Sequence, residues 1–257
     1  MTNISHISCV IIAKNAQQTL KDVLDALTAF DDVVFFSNGS TDNTDAIAAS
    51  YKNVNLIQGE FSGFGPTKNR AASYAKNSWI LSLDADEVLS KDFINNLAKK
   101  RLQEKSVYSI IRTNFYKDRQ IKHCWADDEI VRIYNREKTA FSDKQVHEYI
   151  LSDGFQKELI SGIVRHYPYS TIEQFIEKAN TYSTLFAKNN AGKKSSSPTK
   201  AFFNGVYSFI KTYIFKQGFR DGYVGLIIAY SHMVTNFYKY IKLYERNKEL
   251  AKNDSQT

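Results

Sequence analysis

The residues best suited to chemistry stand where an apolar run ends in acid: Leu81-Ser82-Leu83 is followed by Asp84-Ala85-Asp86-Glu87. Carboxylates two residues apart at the end of a buried strand offer hard oxygen donors, and Mg²⁺ or Mn²⁺ takes one or two of these with nucleotide phosphates completing the shell. Asp86 is the first candidate for a metal ligand. An isolated acidic pair after a strand more often caps the next helix, so the reading depends on its neighbours. Asn38-Gly39-Ser40-Thr41-Asp42 supplies turn residues and a side-chain amide able to meet a base or ribose. Gly63-Phe64-Gly65-Pro66-Thr67-Lys68-Asn69-Arg70 joins flexible backbone and a helix start to two cations, which suits a diphosphate. A glycine pair alone is weak, and its bland alternative is a surface loop with solvated basic residues.

These segments need a scaffold that brings strand ends together. The first hundred residues alternate short apolar runs with helical periodicity, the pattern of strands crossed over by helices onto a largely parallel sheet. Strands are expected over 7–13, 33–36, 54–57 and 79–83, with helices around Leu20–Leu27, 42–51 and, with Pro66 in its first turn, on through Lys68 to Ala75. Ligands of open α/β sheets bind at the carboxyl ends of such strands, where all three segments fall. Residues 107–152 read as antiparallel strands that extend the sheet, and helical periodicity returns after Tyr169. The polar stretch 188–200 reads as an exposed loop.

Composition sets the outer limits. The 257 residues have room for a large core, and 43% apolar against 24% charged residues excludes wholesale disorder, collagen and coiled coil. A net charge of +7 points to an anionic partner: nucleotide, nucleic acid, phosphorylated glycan or membrane surface. Cys9 and Cys124 have neither zinc-site spacing nor a disulfide framework, so a reducing compartment is expected. The sequence starts without a signal-peptide pattern and has no apolar run of about 18 residues, so neither export by that route nor a membrane-spanning helix is expected.

In this order, Ser8–Asn15, Asn38–Asp42 and Leu83–Glu87 resemble family 2 glycosyltransferases of the GT-A fold. Gly63–Asn69, Ile121–Trp125, Asp128 with Arg132, Val146-His147-Glu148, His166-Tyr167 and Gly218–Gly222 are similar to the bacterial lipopolysaccharide-core β-1,4-glucosyltransferase subgroup, over about residues 5 to 245. The resemblance implies an α/β fold with a Rossmann-like nucleotide-binding domain, a mixed central sheet and a C-terminal helical extension. It further implies inverting transfer of a hexose, glucose from UDP-glucose, with a divalent metal, Mg²⁺ or Mn²⁺.

By that resemblance Ala13, Asn15, Asn38 and Gly39 meet the nucleoside, and Lys68 and Arg70 lie near the diphosphate or base. Asp84 faces the ribose or the metal, Asp86 ligates the metal, and Asp128, preferred to Asp127, is the base. His147 is a further metal or phosphate contact, while its plain alternative is an ordinary strand-end residue. His166 is read as structural, and Arg132 as either holding Asp128 or contacting phosphate. Two departures weaken the nucleoside pocket: Asn15-Ala16-Gln17 stands where many relatives have Asn-Glu-Glu, and Ser37 where they have aspartate.

The expected organisation is a catalytic domain over 1–168, divided at 103/104 into nucleotide-sugar and acceptor halves, and a helical extension over 169–250. In the extension, Phe202, Val206, Phe209, Ile210, Tyr213 and Ile214 make an apolar helical stripe beside Lys200, Lys211 and Lys216, with a second such helix from Tyr223 to Tyr244. Such a helix lies in a membrane interface, or its stripe packs on the protein itself or on a second subunit. The expected partners are a nucleotide-sugar donor and a lipid-linked glycan acceptor, with the protein cytoplasmic and in peripheral contact with the inner membrane. Two other readings compete, a nucleotidyltransferase and a nucleic-acid-binding protein. Against the first, the glycine-rich loop after strand one is absent; against the second, no nucleic-acid motif appears. A non-catalytic glycan-binding relative is a third alternative, prompted by Ala16 and Ser37.

Overall fold

A computed structural model describes residues 4–254. The chain divides into two compact units, one of the chain up to Thr113 with Asp127–Pro168, the other of Asn114–Ala126 with the chain from Tyr169 onward.

The first unit is built on β1 (Ile7–Ala13), β2 (Val33–Ser37), β3 (Val54–Gln58) and β4 (Trp79–Asp84), which pair in parallel in the order β3-β2-β1-β4. The sheet continues through β8 (Asp128–Asn135), β6 (Ser106–Tyr116), β9 (Gln156–Tyr169) and β5 (Glu87–Leu89), with β8 antiparallel to both β4 and β6. Strand β1 is buried along its whole length because both faces are covered, which is why it reads as an unbroken apolar run. Cys9, Ile11, Val33 and Phe35 face one side and pack with Leu20, Val23 and Leu24 of α1 (Leu20–Ala26), Ala48 of α2 (Thr44–Ala49), and Phe93 and Leu97 of α4 (Lys91–Lys99). Val10, Ile12, Val34 and Phe36 face the other side and pack with Ala71 and Ala72 of α3 (Phe64–Ser73).

The second unit consists of α5 (Ile172–Asn190), α6 (Pro198–Ile210) and α7 (Gly222–Asp254), with a hairpin in which β7 (Arg119–Gln120) pairs with Phe115 and Tyr116. The Thr171 hydroxyl accepts from the Gln174 amide at the start of α5, and Ser197 caps α6 with Pro198 in its first turn. These ends shrink the loop expected over 188–200 to the residues between Asn190 and Pro198. The helix expected over 42–51 is shorter, Thr44–Ala49, because the Asp42 carboxylate accepts the Thr44 amide and starts the first turn there. A π-helical turn, Lys211–Phe215, and a 3₁₀ turn, Gly218–Asp221, interrupt the expected run of helix. Gly205 admits the close approach of α7, since a Cβ there would lie 3.1 Å from the Met233 carbonyl oxygen.

Candidate functional site

Strand β4 ends at Asp84, and three cations from other elements close on that end. The Asp84 carboxylate accepts from Lys68 Nζ at 3.0 Å and from Arg132 Nη2 at 2.5 Å. Glu87, fully buried on β5, accepts from Arg132 at 2.8 Å and from Arg112 Nη1 at 3.2 Å. Its second oxygen takes the Asp84 amide at 3.0 Å, which fixes the turn carrying Ala85 and Asp86. Arg112 holds Asp128 with two parallel bonds, Nε to Oδ1 at 3.1 Å and Nη2 to Oδ2 at 2.7 Å. Lys68 completes the set with Glu148 at 2.8 Å.

Lys68 and Arg132 are buried, and buried charge is tolerated only when it is paired. Burial alone would raise the Asp84 carboxyl, yet Arg132 and Lys68 hold it well below the usual carboxylate range. Burial likewise opposes the Arg132 charge, and Asp84 with Glu87 overcomes it, holding the guanidinium above its ordinary value.

Asp86 differs from its neighbours. Its Oδ1 is buried with no hydrogen-bond partner, and its Oδ2 lies 3.6 Å from His166 Nε2. A bare carboxylate oxygen is the kind of hard donor that suits Mn²⁺ or Mg²⁺. No cluster of three or more His, Cys, Asp or Glu side chains able to hold a metal occurs among the described residues, so phosphate and water oxygens would supply the remaining ligands.

At the neighbouring strand ends, Asn15 adopts a left-handed backbone, φ 56°, and its Oδ1 accepts the Thr41 amide at 2.8 Å. The Asn38 amide donates to the Ala13 carbonyl at 2.9 Å, Asn38 Oδ1 is a buried acceptor with no partner, and Gly39 is left-handed at φ 76°. Ser37 donates to Asp45 Oδ1 at 2.6 Å, and Gln58 Nε2 donates to Asp45 Oδ2 at 3.1 Å. A carboxylate from the first turn of α2 therefore stands against Ser37.

The expected residues fall into two sets. Ala13, Asn15, Asn38 and Gly39 lie at the ends of β1 and β2, while Asp84, Asp86, Lys68 and Asp128 surround the end of β4. Arg70 is exposed, with its guanidinium 5.2 Å from the Phe36 ring centre. His147 is exposed with a left-handed backbone, φ 59°, and among the described residues no ion pair joins it to Asp86; the imidazole beside Asp86 is that of His166. The reading of Arg132 as the holder of Asp128 is corrected: Arg132 binds Asp84 and Glu87, and Arg112 holds Asp128. Arg112, Glu148 and Asp45 have site contacts that sequence reasoning assigned to none of them. Arg112 faces Asp128 across the β6–β8 pair, a relation visible only once the register is known.

Comparison with known proteins adds a family match: the sequence model described as Glycosyl transferase family 2 fits residues 8–156. A protein of Rickettsia typhi described as an uncharacterized glycosyltransferase is 28% identical over 258 residues, covering 93% of this chain and 87% of that protein. The lipopolysaccharide core biosynthesis glycosyltransferase LpsC of Rhizobium meliloti is 24% identical, covering 94% of this chain and 93% of its own. Among solved structures, S. aureus TarS 1–349 in complex with UDP-GlcNAc covers 97% of this chain and 92% of its own at 13% identity, with a TM-score of 0.48.

Proposed function

Because the chain belongs to glycosyl transferase family 2, a nucleotide-sugar glycosyltransferase of the GT-A α/β class, we propose that it moves glucose from UDP-glucose onto a lipopolysaccharide-core or related lipid-linked glycan with inversion. The observation that carries this reading is the end of β4. Asp84 and Glu87 are paired with cations, and among the described acidic residues only Asp86 has a buried carboxylate oxygen without a partner.

In the reaction the acceptor oxygen bonds to the anomeric carbon, the bond to the diphosphate breaks, and the acceptor proton must leave. Asp128 takes that proton, and the two-point grip of Arg112 fixes the direction of its carboxylate. A divalent cation held by Asp86 and His166 would supply positive charge for the departing diphosphate. Asp84, pinned by Lys68 and Arg132, faces the ribose, and Lys68 keeps the strand end in place while neutralised by Asp84 and Glu148. Asn15, Asn38 and the Ala13 and Gly39 backbone take the nucleoside, with Asp45 supplying a carboxylate against Ser37.

The helical unit supports the lipid-linked acceptor. Phe203, Tyr207, Ile210 and Ile214 recur at helical spacing and are exposed, Phe203 at 63%, Tyr207 at 59% and Ile214 at 50%. The buried edge of the same helix is made by the small residues Ala201 and Gly205, so the large apolar side chains remain outside. An exposed apolar stripe flanked by Lys200 and Lys211 fits a helix lying in a membrane interface. Among the described residues no helix is long and apolar enough to cross a membrane.

Transfer of labelled glucose from UDP-glucose to a lipooligosaccharide acceptor with Mn²⁺ present tests the reading. Asp86→Ala should lower the rate by about 10²–10³-fold while leaving the circular dichroism spectrum intact. Full activity in that variant would remove Asp86 from the reaction.

A further inference from the structure

A polar cavity of about 320 Å³ in the helical unit is lined by Lys122, His123, Phe215, Lys216, Gln217 and Arg220. Three cations and an imidazole converge on it. Among the described residues no ion pair joins Lys122, Lys216 or Arg220 to a carboxylate, and the Arg220 guanidinium donates only to Gln217 Oε1, at 2.7 Å. The acid next to Arg220 in the chain is occupied elsewhere. Asp221 accepts the backbone amides of Lys122, His123 and Cys124 at 3.0, 3.1 and 2.9 Å, and its Oδ1 lies 3.4 Å from His123 Nδ1.

These contacts build a frame and turn the Asp221 carboxylate onto backbone amides. Asp221 ties the hairpin residues 122–124 to the turn that carries Arg220. That turn is held tightly, since a Cβ on Gly225 would fall on the Gly218 carbonyl, and Gln217 takes the left-handed backbone at φ 55°. Like charges collected around one hollow repel each other unless an anion sits among them. A phosphate offers several acceptor oxygens at once, which matches two ammonium groups and the planar fork of an arginine.

The position of the cavity says where the phosphate comes from. Phe215, which lines it, is 72% exposed and follows directly on Ile214, the last residue of the exposed stripe on α6 and its π-helical turn. An apolar side chain entering a bilayer at this point would bring the cavity to headgroup level. We propose that Lys122, Lys216 and Arg220, with His123, form a binding site for the phosphate of an anionic lipid headgroup. This inference rests on the membrane contact proposed above and gives it a defined chemical partner.

Co-sedimentation with vesicles of phosphatidylglycerol in phosphatidylcholine tests it, using the full chain and two triple variants. Lys122→Gln/Lys216→Gln/Arg220→Gln removes the cavity's charges, and Lys188→Gln/Arg246→Gln/Lys248→Gln removes the same charge elsewhere on the unit. A parallel arm measures whether glycerol 3-phosphate raises the melting temperature. The wild type should bind the anionic vesicles, the cavity triple about 100-fold more weakly, and the control triple within about 3-fold of the wild type. Glycerol 3-phosphate should raise the melting temperature of the wild type and the control but not of the cavity triple. Undiminished vesicle binding by the cavity triple, or equal loss in both triples, would overturn the site while leaving membrane contact standing. Stabilisation by glycerol 3-phosphate in a wild type that ignores the vesicles would overturn the lipid source, and the membrane reading with it.

Discussion

In the α/β unit, Lys68, Arg112 and Arg132 each face two carboxylates, whereas in the helical unit Lys122, Lys216 and Arg220 gather around one hollow with no ion-pair partner among the described residues. The contrast extends to whole-unit charge. The helical unit has 16 Lys and Arg against 7 Asp and Glu, a net +9, so the remainder of the chain carries −2 and the overall +7 arises entirely in the helical unit. The same residue types thus serve two ends. Paired and buried, they set the geometry of acids; unpaired and exposed, they are free to meet the anion proposed above.

The largest expected effect breaks the pairing. Arg132→Met leaves Asp84 and Glu87 without their shared cation and should cost about 3–5 kcal/mol in urea unfolding, while Lys216→Met should change stability by no more than about 0.5 kcal/mol. Equal costs at the two positions would erase the distinction between the units.

Next comes a pH effect confined to the helical unit. His232 bonds to Thr212 Oγ1 at 2.9 Å, and burial, then Lys216 and Lys239, lower its pKa from 6.5 to about 4. The unfolded chain takes up this proton near pH 6.5 and the folded chain only near 4. Stability therefore falls as pH drops through that window, by about 3 kcal/mol in all, and this contribution is level below it. His232→Asn should flatten that part of the pH-stability curve, and an unchanged slope would discount the burial of this imidazole.

On the exposed stripe, Phe203→Asp with Ile214→Asp should weaken vesicle binding at least about 10-fold, because two buried apolar side chains are each worth roughly 1.5–3 kcal/mol. Melting temperature should hardly move, since neither side chain is in the core. Unaltered vesicle binding, or a large loss of stability, would place the stripe inside a protein contact instead. The smallest expected change concerns the nucleoside pocket: Asp45→Asn should raise the KM for UDP-glucose by roughly 5- to 10-fold and leave kcat close to that of the wild type, the mark of a ground-state binding contact.

Much of this architecture could be read from the chain because it is local. The unbroken apolar runs of β1 and β2 announce a buried parallel sheet, and the acids directly after β4 mark where that strand ends. The helical stripe was legible only in part: of the residues expected in it Val206, Phe209 and Tyr213 are half-buried, and the exposed edge runs instead through Phe203 and Tyr207 to Ile210 and Ile214, because small Ala201 and Gly205 decide which edge α7 covers. What stayed hidden depends on register and long-range approach. Arg112 reaches Asp128 only because β6 and β8 align those two residues, and Lys68 reaches Glu148 across 80 residues of sequence. His166 comes to Asp86 because Glu87, the next residue, is its register partner in the β5–β9 pair. Asp45 reaches Ser37 from the first turn of the following helix, a contact across elements that spacing alone does not reveal.

Asp86 is the unsatisfied acid beside a set of satisfied ones, and the melting temperature with UDP-glucose, with and without Mn²⁺, tests its proposed role most directly. Wild type should gain stability from UDP-glucose only when Mn²⁺ is present, and Asp86→Ala should gain none under either condition. A gain of the same size without the metal, or one that survives in Asp86→Ala, would contradict it.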